Sequence, residues 1–490
     1  MVTLIVWKNE NMRMVHPVQM SVLPIGLVVT LFLMLFFGVF ANPGLSLLAL
    51  IVLWLGLALL WRPGEPMVLL FIFLMQWLQV TVKLWLANRA DKPVQALAEF
   101  SAELAPAITF ALMALAVLAL AMRVVVGPSQ QWRLFAVRAW IVALPPRIWW
   151  RLYIGAWILA AISERSAYTI PGLSQPLLAM ASVKWAAFFM LSYVTFSVPH
   201  RAKWPFALAF MVEFAMGVGG FFADYKTVFF ITLLALAAAG VRLSVGRALG
   251  LVVLLVLVFV LNVFWTAIKV DYRNFVSGGE ANQSVTVDYG ARVAALGNML
   301  AEVDADRFNK AIDVGLARLS YVDFLASTMD YVPTHQPHTG GAMWWDALTR
   351  PFMPRLLFPG KAIIEDSART SQYSGVTVAG ADRGTSISIG YLGEAYIDGG
   401  VAGGLLLMAL YGAFMGWLYR WLAYRSAVQG LAGMAIATAI LLNVLLFETS
   451  VTKSMGALVL GALLCWFLMR FVLPRFAPWL LSLSTSRPPA

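Results

Sequence analysis

LGLVVLLVLVFVLNVFWTA, residues Leu249–Ala267, has no ionisable side chain and as a helix is long enough to cross a ~30 Å hydrocarbon core. Shortly after it, Asp271 opens a polar segment that runs to Tyr396. Val401–Leu418 is then apolar again. Asp271–Tyr396 holds ten of the chain's 35 Lys and Arg, 14 of its 24 Asp and Glu, and two of its four His. A membrane chain that gathers its ionisable groups on one element outside the bilayer marks that element as its place of work.

Composition sets the class. Hydrophobic residues are 61%, charged residues 12%, and mean hydropathy is +0.81, which excludes a soluble globular domain. A hydropathy pass predicts about twelve spans, near 23–40, 45–61, 66–86, 104–126, 149–163, 176–198, 204–222, 226–241, 248–268, 396–418, 431–448 and 455–472. The expected fold is an all-α integral membrane protein, a polytopic bundle with one large extracytoplasmic loop between spans nine and ten. Residues 1–270 would form the first bundle, 271–395 the loop with its own helices, and 396–490 the last three spans. The mixed N-terminal residues, including Lys8 and Arg13, precede the first apolar run without a small-residue cleavage pattern, so that run is expected to be retained. The lone Cys465 excludes an intrachain disulfide and a thiolate metal site.

Basic residues fall mostly in one set of short loops, among them Arg62, Arg123, Arg133, Arg138, Arg147, Arg201, Lys203, Arg242, Arg420 and Arg470. The opposite loops hold few, such as Arg89, Lys92, Arg165 and Lys453. This asymmetry predicts cytoplasmic termini and an outward, periplasmic loop in an inner membrane. It also accounts for the net charge of +11 as topogenic charge near anionic headgroups, so nucleic acid is not an expected partner. Gln130–Arg151 reads as an amphipathic element on the inner leaflet, with Trp149 and Trp150 as interface anchors. Lys184 and Glu213, at similar depth in neighbouring spans, are expected to form a structural ion pair, since no chain of further buried carboxylates suggests proton relay.

Within the loop, Asp288–Met299 and Phe308–Met329 have helical periodicity, which would set Arg318, Tyr321 and Leu325 along one side. Val332–Gly341, with two prolines and two glycines, is irregular. Leu348–Lys361 reads LTRPFMPRLLFPGK, where prolines hold Arg350, Arg355 and Lys361 on a stiff backbone. A glycine- and hydroxyl-rich stretch, Ser371–Ser388, follows. Arg273, Arg318, Arg355 and Lys361, with Lys226 from a neighbouring outer loop, are the cations expected to converge beside lipid. Guanidinium groups bind phosphate oxygens in bidentate fashion, so such a cluster suits a multiply charged anion carried by a lipid. Glu394, where the loop re-enters the membrane, has two readings: general base toward a hydroxyl, or partner to one of the arginines. Gly399, Gly400, Gly403 and Gly404 read as close-packing positions. Tyr396 would orient Glu394, bind sugar, or sit at the interface.

Arg318, then Pro354-Arg355-Leu-Leu-Phe-Pro-Gly-Lys361, then Gly393-Glu394-Ala-Tyr396-Ile-Asp-Gly-Gly400, form an ordered set that resembles the outer loop of O-antigen polymerases (the Wzy family) and related exopolysaccharide repeat-unit polymerases. The resemblance covers mainly Asp224–Trp417, with Lys226 and Tyr272-Arg273 where that family commonly has basic residues. The chain departs from the family pattern in lacking a proline after Lys361 and in having Asp398-Gly399 for the common Asn-Phe. The resemblance implies a metal-independent membrane glycosyltransferase of GT-C-like type, with no cofactor. Its donor would be a glycan on undecaprenyl pyrophosphate and its acceptor a lipid-linked repeat unit, with a chain-length regulator or export complex as a further partner. It implies catalytic roles for Glu394, Arg318 and Arg355, and substrate-binding roles for Lys226, Arg273, Lys361, Tyr396, Tyr321, His335 and His338. Three rival readings stand beside it. One is an O-antigen ligase or O-oligosaccharyltransferase using the same donor, with His335 or His338 as base; the others are a transporter and a non-catalytic scaffold.

Overall fold

The computed structural model describes residues 22–129, 141, 144–170, 172–198, 202–218, 225–240, 245–278, 286–355, 357–362, 364–380, 385–424, 427–472 and 474–475. Regular structure among these is helical throughout. The chain runs through α1 (Val22–Phe37), α2 (Pro43–Leu60), α3 (Val68–Arg89), α4 (Leu104–Val126), α5 (Pro146–Thr169), α6 (Ser174–Ala181), α7 (Val183–Ser197), α8 (Lys203–Val218), α9 (Tyr225–Ala238) and α10 (Val245–Val276). The polar segment contributes α11 (Tyr289–Ala301), α12 (Ala305–Leu319), α13 (Val322–Tyr331), α14 (Ala342–Thr349) and α15 (Asp366–Ser374). Last come α16 (Gly390–Ala423), α17 (Ala427–Leu441) and α18 (Val451–Phe467).

Each of the twelve apolar segments coincides with a helix. Among the described residues, six helices are long and apolar enough to cross a membrane: α2, α3, α4, the bent pair α6–α7, α16, and α18 with its extension to Phe471. Three shorter apolar helices accompany them. The protein is thus all-helical and compatible with embedding in a membrane. Most of the Gln130–Arg151 element lies outside the described residues. Of its two expected interface anchors, Trp149 is buried in the core, while Trp150 is half-buried and stacks on Tyr153. The expected Lys184–Glu213 pair forms at 3.0 Å, and the Tyr153 hydroxyl donates to the other oxygen of Glu213 at 2.9 Å. That second donor satisfies a carboxylate buried among apolar helices.

α16 packs along α4 because glycines let the two backbones approach. A Cβ at Gly412 would sit 2.5 Å from the Leu118 carbonyl oxygen, and one at Gly416 2.8 Å from that of Met122. Of the four glycines expected to pack, only Gly404 does so, against Phe110. Gly403 faces open space, and Gly399-Gly400 break the helix, with Gly400 at φ +61°. The left-handed conformation at Gly400 is one that a side chain would resist.

That break organises the polar segment. It frees the carbonyls of Ile397 and Asp398, which accept from the N–H groups of Thr339 (3.1 Å) and Gly340 (3.0 Å). The Asp398 carboxylate, 2% exposed, accepts from Met343 N (3.1 Å), Trp344 N (2.9 Å) and the Thr339 hydroxyl. It therefore caps the unpaired N–H groups that open α14. The irregular run 332–341 is held in place by the broken helix.

One expected helix is two. Phe308–Met329 breaks at Ser320, so Arg318 lies in the last turn of α12 while Tyr321 immediately precedes α13 and Leu325 belongs to it, and the three do not share a helix face. Tertiary bonds override the local periodicity. Tyr321 donates its N–H to the Gln79 carbonyl at 3.1 Å and accepts from Gly393 N at 2.9 Å, while Asp323 pairs with Lys83 at 2.6 Å. Lys83 is 4% exposed, and Gln76, Gln79 and Lys83 share one side of α3. That polar stripe within an apolar helix docks the polar segment. Periodicity also missed α14 and α15, and α16 begins at Gly390, six residues before the expected re-entry at 396.

Candidate functional site

The proline-rich run folds into a closed cationic loop. After α14, Arg350-Pro351-Phe352 makes one tight turn, since each proline removes an N–H that would continue the helix. Arg350 donates through Nε to Asp346 (2.7 Å) and through Nη1 to the Ala362 carbonyl (2.9 Å). Lys361 closes the loop from its far end by donating Nζ–H to the carbonyls of Arg350 (2.8 Å) and Met353 (3.0 Å). Burial of the Lys361 ammonium, then the charges of Arg350 and Arg355, push its pKa below the ordinary lysine value. Arg355 is exposed and makes no hydrogen bond or ion pair to a described residue.

Facing this loop is the start of α18. Its first N–H, on Val451, donates at 2.5 Å to one oxygen of Glu394, and Arg369 Nη1 donates to the other at 2.6 Å. Glu394 is 1% exposed, so both oxygens are occupied within a closed environment. It fixes the N-terminus of α18 and the angle at which α15, bearing Arg369, meets it. Two residues on, Lys453 pairs with Asp366 at 2.5 Å and donates to Ser386 at 3.1 Å.

Between the loop, α6 and α18 is a cavity of about 760 Å³. Arg350, Arg355, Lys361, Lys453 and Asp366 line it, with Pro176, Gly456 and Leu460 on its apolar side. The lining joins the starts of α6 and α18, the helix ends that the basic-residue distribution assigns to one side. Arg350 is matched by Asp346, and Lys453 by Asp366. Arg355 and Lys361 have no acid within ion-pair distance among the described residues, which leaves two positive charges uncompensated. Such a cavity suits a dianion attached to an apolar group.

The expected site residues divide. Arg355 and Lys361 line the cavity. Glu394 braces its wall but does not line it. Arg318 lies near the end of α12, with its side chain outside the described residues. Lys226, in the first turn of α9, and Arg273, in the last turn of α10, belong to elements that do not line the cavity, so the five expected cations do not all converge. Tyr321 is buried between α3 and α16, and burial raises its pKa. Tyr396 is buried too, with its hydroxyl 3.2 Å from the Val332 carbonyl. His335 stacks on Tyr331, with ring centroids 4.6 Å apart. His338 is exposed, and its Nδ1 lies 3.1 Å from the Ile397 carbonyl; this places the proton on Nδ1 and leaves Nε2 as an acceptor. Sequence reasoning passed over Asp366, Arg369 and Lys453 as site residues. Lys453 carried a signal, as a basic residue on the side where such residues are few.

A family model described as a domain of unknown function (DUF8712) matches residues 146–449. The match takes in the cationic loop, Asp366 and Glu394, and ends just before α18. No curated protein and no solved structure matches the chain.

Proposed function

The chain belongs to the DUF8712 family, whose description names no activity, and we propose from the site itself that it is a membrane glycosyltransferase acting on polyprenyl-diphosphate-linked glycan. In this reading the roughly twelve spans keep both termini in the cytoplasm of a bacterial inner membrane, and the cavity opens to the periplasm. The observation that carries it is Arg355: an exposed guanidinium with no partner among the described residues, over a cavity in which two cations have no ion-pair partner among those residues and which has an apolar side. The resemblance to repeat-unit polymerases supports the same reading, with undecaprenyl diphosphate as the carrier.

The chemistry assigned to the site balances as follows. An acceptor sugar hydroxyl attacks the anomeric carbon of the donor glycan. The bond from that carbon to the diphosphate oxygen breaks, and the diphosphate leaves with the electron pair. Arg355, Lys361 and Lys453 stabilise the charge that grows on it, the place where preorganised cations act most strongly. The hydroxyl proton passes to a carboxylate. Glu394 has both oxygens engaged away from the cavity, so we assign the proton to Asp366, which lines it, and give Glu394 a positioning role.

The test is deletion of the gene followed by complementation, reading surface polysaccharide by gel. A polymerase mutant makes single-unit chains, and Arg355→Ala fails to restore length while the protein inserts at normal levels. Long lipid-linked polymer in the deletion would instead identify a ligase with the same donor, the reading favoured by the exposed His338 with its acceptor Nε2. Single units trapped inside the cell would identify a flippase. Normal polysaccharide in the deletion would refute the proposal.

A further inference from the structure

The outward face of α14 and of the loop after it is apolar, although both belong to the polar segment. Met343, Trp344 and Ala347 are buried, while Trp345 is 68% exposed, Phe352 60% and Leu357 71%. Leu348 and Phe358 are exposed as well. Trp345 and Leu348 share one side of α14, and Phe352 follows four residues on, in the turn that continues it. So many large apolar side chains along one short stretch exceed the scattered exposure normal for a water-facing surface.

The position of α14 says what covers this face. The helix starts at the break in α16, where the Asp398 carboxylate accepts from its first N–H groups. Its Trp344 ring then meets Tyr411 edge-on, with centroids 5.3 Å apart. Tyr411 lies ten residues past Val401 and twelve before Ala423, or ~15 Å and ~18 Å from the two ends of that arm at 1.5 Å per residue. An arm of this length crosses a ~30 Å hydrocarbon core, which puts Tyr411 well inside it. α14 therefore lies against the flank of a spanning helix. The loop that follows meets a second span: Met353 and Pro354 line the cationic cavity together with Gly456 and Leu460, five and nine residues into α18.

Charge selects the same partner. Arg355 and Lys361 border the apolar face and have no acid within ion-pair distance among the described residues. Cations beside aromatic and aliphatic side chains suit an element lying in a membrane interface, its apolar groups among acyl chains and its basic groups at lipid phosphates. A second copy docked about a two-fold axis would bring these cations toward their own equivalents, which repulsion opposes.

We propose that residues 342–362 form an element embedded in one bilayer leaflet, the outer one in the topology proposed above. Trp345, Leu348, Phe352, Leu357 and Phe358 lie among the acyl chains, with Arg355 and Lys361 at the level of the lipid phosphates. The cationic cavity then opens sideways at headgroup height. This inference rests on the membrane-embedded fold and not on the glycosyl-transfer reading.

The experiment places a nitroxide on single cysteines, Phe352→Cys and Leu357→Cys, in a Cys465→Ala parent reconstituted in vesicles of phosphatidylethanolamine and phosphatidylglycerol. Collision with oxygen, which concentrates in acyl chains, is compared with collision with a water-soluble nickel chelate. Leu406→Cys on the exposed flank of α16 and Thr334→Cys in the polar run 332–341 serve as references. The oxygen-to-nickel ratio at both positions is expected to match Leu406→Cys and to exceed Thr334→Cys several-fold. A ratio equal to that of Thr334→Cys would overturn the proposal, as would spin–spin broadening between Phe352→Cys labels, which identifies a second copy as the occupant. Hydroxyl-radical footprinting of the unaltered chain in the same vesicles decides the matter even if the variants fail to insert. His335 and His338 should be oxidised while Trp345, Phe352 and Phe358 are protected, and equal oxidation of the two groups overturns the embedding. Neither readout depends on catalysis, so a loop found in water leaves the transferase reading standing, and normal polysaccharide in the gene deletion leaves the embedding standing.

Discussion

Replacing Glu394 separates a catalytic base from a structural brace. Its carboxylate is 1% exposed and joins Arg369 on α15 to the first N–H of α18. Glu394→Ala removes both acceptors at once. It leaves a guanidinium that is only 17% exposed without its counter-charge, a change that costs about 3–5 kcal/mol when a buried pair is broken. It also strands the Val451 N–H, worth about 1–3 kcal/mol. Removing both charges is far milder, because a buried pair exchanged for apolar groups of similar size is often nearly neutral. The double variant Glu394→Leu/Arg369→Met should therefore recover at least half of the unfolding free energy lost in Glu394→Ala, measured by denaturant titration of the detergent-purified protein. In complemented cells it should also recover polymer length, because a brace can be replaced by packing. A double variant that folds as well as the parent yet makes no polymer would refute this account and return Glu394 to the role of base.

Other expectations follow from the same geometry. Arg355→Ala should weaken diphosphate binding by about 10–100-fold, the loss of one to two charge-assisted hydrogen bonds, without lowering thermal stability, since Arg355 bonds to no described residue; titration calorimetry reads the first and a thermal melt the second. Asp366→Asn should cut glycosyl transfer by about 10²–10⁴-fold while diphosphate still binds, as expected for a proton acceptor. Diphosphate affinity should be full while Lys361 is protonated and should fall as pH rises through its lowered pKa, beginning below the ordinary lysine range; Lys361→Arg should move that fall upward. Gly412→Ala forces a Cβ to within 2.5 Å of the Leu118 carbonyl oxygen and should lower stability by about 1–3 kcal/mol, whereas Gly403→Ala meets open space and should raise it by about 0.5–1 kcal/mol.

Much of the architecture was legible in the chain. Every apolar segment read from hydropathy is a helix, and the Lys184–Glu213 pair forms as expected. The site was half legible. Prolines that bar helix and leave basic residues between them pointed to Arg355 and Lys361, both of which line the cationic cavity. Lys226 and Arg273 looked equivalent to them as charges on the same side, yet their helices lie elsewhere in the bundle. Of the two readings of Glu394, the structure shows the pairing with an arginine, Arg369; its second partner, the Val451 N–H, is 57 residues away and left no local signal. The break at Ser320 was hidden for a similar reason. Nothing local opposes a helix there; what stops it is a hydrogen bond from Tyr321 to Gln79, in a different helix.

By itself the sequence determined that this is an all-helical protein fit for a membrane, with its ionisable groups gathered on one element between apolar runs. Those properties are sums over neighbouring residues, because the transfer free energy of a helix accumulates position by position along it. Only the tertiary structure decided which acids neutralise which bases, and so which two cations of the cavity have no ion-pair partner among the described residues. Ion pairing weakens with distance in space and takes no account of separation along the chain. Asp366 and Lys453 become partners only after α15 and α18 have docked.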